Sequence, residues 1–197
     1  MKFDQITEPL NQRLADSLGR LAAVARQLDW QAAEAAALSP TQADILRFVA
    51  NRPAGARLTA AAAHVGIRKA TASDAVSALE RKSLIKKGAD ALDRRAIALK
   101  ATSKGSGIAH AWPQSYAPVI EGLTQQEQET LYGLVVKMVR QLQQRGLIAP
   151  QRTCISCRYF RENTAPGTKA PHYCTLVGAP MAEHHLRVDC AEQEPAT

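Results

Sequence analysis

The sequence predicts a mainly α domain with one β-hairpin, followed by a small cysteine-rich segment. Three observations carry this reading. Apolar residues recur at spacings of three and four through most of residues 9–145. One stretch, residues 84–99, instead shows two short apolar runs around turn residues. All four cysteines lie at or beyond position 154, in a stretch rich in Pro, Gly, His and charge. The chain therefore divides into residues 1–150 and residues 151–197.

Each element has its own signal. Leu10, Leu14, Leu18, Leu21, Ala25 and Leu28 predict a long helix over 9–37. Ser39, Pro40 and Gln42 form a capping box with proline at the first helical position, opening a helix that carries Ile45, Leu46 and Val49 and stops near Asn51-Arg52-Pro53. Thr59 is placed to cap a short helix, AAAAHV, that ends at Gly66. A helix over about 69–82 follows, with Ala72, Val76 and Leu79 on one face. Two short helices joined by a glycine-containing turn form a helix-turn-helix.

Leu84-Ile85, the turn material Gly88-Ala89-Asp90 and the run Ala96–Leu99 then read as a hairpin. Two further helices are expected, about 104–121 with a break or kink at Pro113, and 125–145 opened by a Thr124/Glu127 capping box. The second carries a stripe of Leu131, Leu134, Val135, Met138 and Leu142, and Gly146 and Pro150 close it.

Composition narrows the function. At 46% hydrophobic and 22% charged residues, the chain can build a sizeable core. MKFDQITEPLNQ lacks the apolar stretch of a signal peptide, and no run approaches the about 18 apolar residues of a membrane span, so no membrane partner is expected. The expected compartment is the cytoplasm, where clustered cysteines bind metal or sense redox state more often than they form structural disulfides. Between Arg52 and Lys104 there are 12 Lys and Arg against four acids, a local +8 in a chain of net +7 that leaves the remainder at −1. Such a patch suits a polyanion partner. A solvated surface is the plainer alternative.

The second helix of a helix-turn-helix enters the major groove, where base pairs show distinct donor and acceptor patterns. Its outward positions here are Lys69, Thr71, Ser73, Asp74 and Ser77, with Arg68 at its start. Lys86, Lys87, Arg94 and Arg95 on the hairpin are placed for phosphates or the adjacent minor groove. Thr71, Ser73 and Ser77 can also merely solvate a surface helix. The coincidence of helix pair, hairpin and charge favours double-stranded DNA.

Through these residues the chain resembles the MarR family of winged helix-turn-helix repressors. The resemblance is carried by Leu58-Thr59, by Lys69-Ala70-Thr71, by Leu79-Glu80-Arg81-Lys82-Ser83-Leu84-Ile85, and most specifically by DRRAIALKATSKG at 93–105. It covers about residues 1–148. It implies that Asp93 and Arg95 brace the wing through a salt bridge while Arg94 lies towards its tip. It also implies a homodimer formed by the first and last helices, reading a palindromic operator with half-sites about one helical turn apart. Three positions depart from the family pattern: Ser83 stands where a glycine is usual, Ala101 where a leucine precedes the threonine, and Arg68 at the usual small N-cap.

The family pattern does not account for the cysteines. Cys154, Cys157, Cys174 and Cys190 are spaced C-x2-C-x16-C-x15-C. A 47-residue segment with few large aliphatics cannot offset its ordering entropy by burial, and a metal centre linking 154 to 190 would supply what the core lacks. Structural zinc usually uses two C-x2-C knuckles, and only one is present. An iron–sulfur cluster takes four thiolates at irregular spacings, and Arg158, Arg161 and Arg187 lie nearby to offset their charge. The cluster is the first reading, 2Fe-2S or 4Fe-4S left open, ahead of zinc and of a metal-free thiol switch. His172, His184 or His185 as a substitute ligand is set against plainer packing or surface roles.

The leading expectation is thus a dimeric, sequence-specific transcriptional regulator, a repressor rather than an enzyme, controlled through a C-terminal iron–sulfur cluster that senses redox state, oxygen or iron. The alternative keeps the DNA function and makes the cysteines a structural zinc site. Control would then come from a small aromatic ligand, as the resemblance implies; Trp30, Trp112 and Tyr116 are candidates to line its pocket, with a core position the favoured reading for each. A third reading, an electron-transfer protein whose winged helix is only an interaction module, finds no catalytic motif in its favour.

Overall fold

Helix ends in this chain are set by local chemistry. Ser39 Oγ accepts from the Gln42 amide while the Gln42 side chain accepts from the Ser39 amide, and Thr124 and Glu127 repeat the arrangement. The computed structural model describes residues 3, 6–89 and 96–196. The first part runs α1 (Leu10–Ala35), α2 (Pro40–Ala50), α3 (Leu58–Val65), α4 (Lys69–Arg81), β1 (Ile85–Ala89), β2 (Ile97–Ala101), α5 (Ser103–His110), α6 (Ala117–Ile120) and α7 (Gln125–Gln144). The second part adds β3 (Phe160–Arg161), β4 (His172–Cys174) and β5 (Ala179–Met181), with short 3-10 turns at Cys154–Ser156 and Glu183–His185.

The core lies where α2, α3, α4 and α5 close over the β1–β2 hairpin. Ile45, Leu46, Val49, Val76, Leu79, Ile85 and Leu99 are fully buried there. The hairpin is antiparallel, with Ile85 opposite Ala101 and Ala89 opposite Ile97, and Ala56 adds a one-residue bridge to Leu99. The fold is therefore mainly helical with a small antiparallel sheet, a helix-turn-helix backed by a two-stranded wing base.

Two residues weld wing to helices. Thr102 Oγ1 donates to the Ser83 carbonyl at 2.8 Å and accepts from the Gly105 amide at 3.0 Å, so it both caps α5 and holds the end of α4. A Cβ on Gly105 would run into the Leu84 carbonyl, so this position needs glycine for close approach. Ser83 sits at φ 58°, a left-handed conformation that favours the glycine it replaces. Arg68 provides no side-chain cap to α4, as its residue type suggested.

Other expectations need correction. α3 begins at Leu58, with Arg57 at the N-cap, so Thr59 lies inside the first turn rather than capping it. Gly88 and Ala89 are strand residues, not turn residues, because they pair with Ala98 and Ile97. The break expected at Pro113 in the segment over 104–121 is present, by contrast: the segment is two pieces, α5 and the short α6, separated by residues 111–116. Gly66 does end α3 in the left-handed region, at φ 73°.

α1 and α7 differ from the rest. Their stripes stay uncovered within one chain, with Leu10 62% and Leu134 56% exposed, and Leu14, Leu18, Leu131, Met138 and Leu142 likewise open. Among the described residues no helix is long and apolar enough to cross a membrane.

The C-terminal segment is an antiparallel sheet in the order β3-β4-β5, with Phe160 opposite Cys174 and His172 opposite Met181. It rests on α7, where Leu186 and Ala182 are buried, and is tied there by Arg140–Glu162 at 2.9 Å and by Tyr132.

Candidate nucleic-acid interface and cysteine cage

α4 presents two faces. Ala72, Ala75, Val76 and Leu79 are buried, while Lys69, Thr71, Ser73 and Asp74 are exposed and Ser77 is half-buried. Arg68, just before the helix, is exposed as well. These side chains form one polar surface able to meet base edges and phosphates. Lys86 and Lys87 are exposed on β1. Lys87 is not free for phosphate alone, since its ammonium pairs with Glu80 at 2.8 Å. Asp93, Arg94 and Arg95 lie outside the described residues, as does the salt bridge expected between Asp93 and Arg95.

The four cysteines reach one place from three segments of the chain. Cys154 opens a 3-10 turn, Cys157 ends it with its amide donating to the Cys154 carbonyl, Cys174 ends β4, and Cys190 sits in a loop whose amide donates to the Arg152 carbonyl at 2.8 Å. All four are free thiols, each half-buried, lining a single cavity of about 280 Å³ with Tyr159, Phe160, Met181, His185 and Arg187. Among the described residues no three His, Cys, Asp or Glu side chains gather closely enough to hold a metal ion. Four thiolates are the donor set of an iron–sulfur cluster and of a structural zinc site alike.

Arg187 serves two of the thiols. Its backbone amide donates to Cys154 Sγ at 3.2 Å, and its guanidinium lies 3.8 Å from Cys190 Sγ. Burial pushes the Cys154 thiol up from its ordinary value, and the other three sulfurs push the same way, while the Arg187 amide opposes them. Loading the cage with a cation would remove that penalty by replacing the proton.

Of the histidines only His185 lines the cysteine cavity. His172 is buried, with Nδ1 accepting from the Asn163 amide and Nε2 3.0 Å from Glu183, which makes it a packing residue of the β4 edge. His184 pairs with Glu129 at 3.7 Å, and His185 Nδ1 accepts from the Ala182 amide. Of the three aromatics expected near a ligand pocket, Trp30 is 63% exposed, whereas Trp112 is buried with its indole N–H on Asp29 at 3.1 Å. Only Tyr116 lines the cavity of about 440 Å³ formed there with Asp29, Arg47, Ser115 and Ile120.

The sequence reading missed the contacts that join cage to helices: Tyr132 on Leu186, and Arg52 and Arg152 on Asp189. Their partners are far apart in sequence, and nothing local marks them.

The architecture of the first part of the chain is a winged helix-turn-helix. Residues 38–96 match the model of the MarR family. An uncharacterized HTH-type transcriptional regulator of Bacillus subtilis, YwaE, is 36% identical over 81 residues, 39% of this chain and 47% of that protein. The chain thus spans about half the length of the curated relative it matches. Among solved structures, CouR of Rhodococcus jostii bound to p-coumaroyl-CoA superposes with a TM-score of 0.55 at 20% identity, over 70% of this chain and 94% of the other. The S. aureus MepR–DNA complex superposes at 0.52 and 20% identity, over 69% of this chain and 100% of the other. SlyA gives 0.54 at 24% identity, over 64% of this chain and 94% of the other. The solved structures show a winged-helix fold for the first part of the chain, and the family model and the curated relative match within it. The family match ends well before Cys154.

Proposed function

We propose that the protein is a dimeric, sequence-specific transcriptional regulator of the MarR type, a repressor rather than an enzyme, whose DNA affinity is set by an iron–sulfur cluster on Cys154, Cys157, Cys174 and Cys190. The single observation that carries the cluster is the convergence of four free thiols from three segments of the chain on one cavity. Bound there, the group would supply a redox- and oxygen-sensitive centre whose oxidation or loss is the signal. The chain's own residues do the rest. The Arg187 amide and guanidinium offset thiolate charge, and Phe160 and Met181 shield the cage from water.

DNA reading rests on α4, with Lys69, Thr71, Ser73, Asp74 and Ser77 meeting the major groove and Arg68, Lys86 and Lys87 the backbone. Arg94 and Arg95 are assigned to the wing from the sequence alone, as is the bracing by Asp93. The uncovered stripes of α1 and α7 fit a second copy of this chain, and two-fold symmetry calls for a palindromic operator.

A duplex selected from a random pool tests this directly. Its affinity for the anaerobically purified protein should fall with salt, and Lys86→Ala should reduce the salt slope by about one. Removing iron by chelation should change affinity at least tenfold. Equal affinity in the two forms contradicts cluster control.

A second reading makes the cysteines a structural zinc site and places control in the cavity between Asp29, Arg47 and Tyr116. The likeness to CouR, a protein solved with p-coumaroyl-CoA, favours an aromatic effector for that cavity. Binding of such an effector with no dependence on iron would select it.

A further inference from the structure

The cage touches two different parts of the molecule, and each contact runs through one residue next to a cysteine contact. On one side is the Leu186–Arg187 peptide. Its carbonyl accepts from the Tyr132 hydroxyl of α7 at 2.6 Å, and its N–H donates to Cys154 Sγ at 3.2 Å. A trans peptide is rigid and planar, with C=O and N–H pointing in opposite directions. Tyr132 and Cys154 therefore hold opposite edges of one plate. Drawing the sulfur towards the cage centre tilts the plate and moves the carbonyl against α7. Cys154 also donates its own amide to the Arg187 carbonyl at 3.1 Å, which ties the cysteine to the Arg187 segment a second time.

On the other side is Asp189, the neighbour of Cys190. Its Oδ1 accepts from Arg152 Nε at 2.6 Å and lies 3.5 Å from Arg52 Nη2. Both arginines also reach the C-terminal end of α2: Arg152 donates to the Asn51 carbonyl at 3.0 Å, and Arg52 donates to the Phe48 carbonyl at 2.9 Å while stacking on the Phe48 ring at 3.6 Å. Those carbonyls are among the orphan acceptors at a helix end. α2 in turn packs on α3 and α4, the helix pair of the DNA-binding unit. The Cys190 amide donates to the Arg152 carbonyl, which closes the circuit. The arginine side chains are largely buried, at 14% and 22% exposure, so solvent screens this network less than a surface pair.

We propose that the cysteine cage is a strut between α7 and the winged-helix lobe, with Tyr132 and Asp189 as the positioning residues that transmit its filling to the two sides. A filled cage fixes the Leu186–Arg187 plate and the Cys190 loop together, which sets the lobe against α7. An empty cage releases both, and the lobe gains a second arrangement. The coupling is reciprocal, so DNA that prefers the filled arrangement must raise the affinity of the cage for its occupant by the same factor.

This inference rests on the cluster reading, and the test separates the two. Full-length wild type, Tyr132→Phe and Asp189→Asn are purified anaerobically, assayed for iron and sulfide, and measured on the selected duplex before and after chelation. Wild type should show at least a tenfold difference between filled and stripped forms. Each variant should keep its iron and its stripped-form affinity, yet retain no more than a threefold difference, and Asp189→Glu should restore most of it. Hydrogen exchange gives the second readout: filling should protect amides around Tyr132 and at Asn51–Arg52 in wild type but not in the matching variant.

Variants with full iron and an undiminished difference overturn the strut while leaving the cluster intact. Loss of iron from both variants also overturns it, since the residues then only build the cage. Wild type without iron or sulfide removes the cluster reading itself.

Discussion

The winged-helix lobe and the cysteine segment are held together by different means. The lobe has a continuous apolar core in which Ile45, Leu46, Leu79 and Leu99 are almost wholly shielded from water. In the described part of residues 151–197 the buried residues are Thr153, His172, Ala182 and Leu186. Their place is taken by hydrogen bonds and ion pairs, among them Arg152–Asp189, Arg158–Glu194 and His172–Glu183. An exposed pair such as Arg158–Glu194 contributes about 0–1 kcal/mol, whereas one large buried aliphatic contributes about 1.5–3. The lobe therefore has the apolar burial to be stable by itself, and on the proposed function the segment is completed by an occupant of its cage.

The sharpest way to break this comparison is Cys174→Ser. It should abolish cluster loading and expose the amides of β4 and β5 to exchange, while the thermal transition of the lobe stays within a few degrees. Coincident loss of both regions would mean that the lobe depends on the cage for its stability. Gly105→Ala should do the reverse. The new methyl group meets the Leu84 carbonyl, so the lobe loses about 3 kcal/mol, or roughly 6–12 °C in Tm, with iron content per folded protein unchanged.

Ser83→Gly should sharpen the contrast from the other direction. It relieves a left-handed residue at φ 58° and should stabilise the lobe by about 1 kcal/mol in urea unfolding, again without effect on loading. A smaller effect is expected at His64. Burial first, then the Arg52 charge, holds its pKa below the ordinary 6.5, against the opposing pull of Asp189 and Asp44. The native state thus disfavours the protonated ring. Its contribution is present above pH 6.5 and is lost as pH falls through the lower native value, and His64→Gln should flatten that part of the stability profile.

Legibility in the sequence followed the range of the interactions. The Ser39/Gln42 and Thr124/Glu127 caps, the end of α3 at Gly66 and the buried stripe of α4 are decided within a few residues, and all were readable. Gly88 and Ala89 were misplaced because their strand conformation depends on partners ten and eight residues away, Ala98 and Ile97. Thr59 looked like a cap by type, yet the backbone turns helical one residue earlier, at Leu58.

The three-stranded sheet of the cysteine segment left almost no trace. Strands of two or three residues are too short for alternation to show. Cysteine chemistry pointed to a shared centre, but the spacing could not give the width of the cage or the role of Arg187. Tyr132 and Asp189 carried no signal at all, because their partners stand 54 and 37 or more residues away.

The most direct test of the central claim is the iron and acid-labile sulfide content of the anaerobically purified protein, read with its visible absorption spectrum. The account predicts iron and sulfide together, with broad absorption near roughly 400 nm that disappears in Cys174→Ser. Stoichiometric zinc in a colourless protein would contradict it, and the source of control would move to the cavity beside Asp29 and Tyr116.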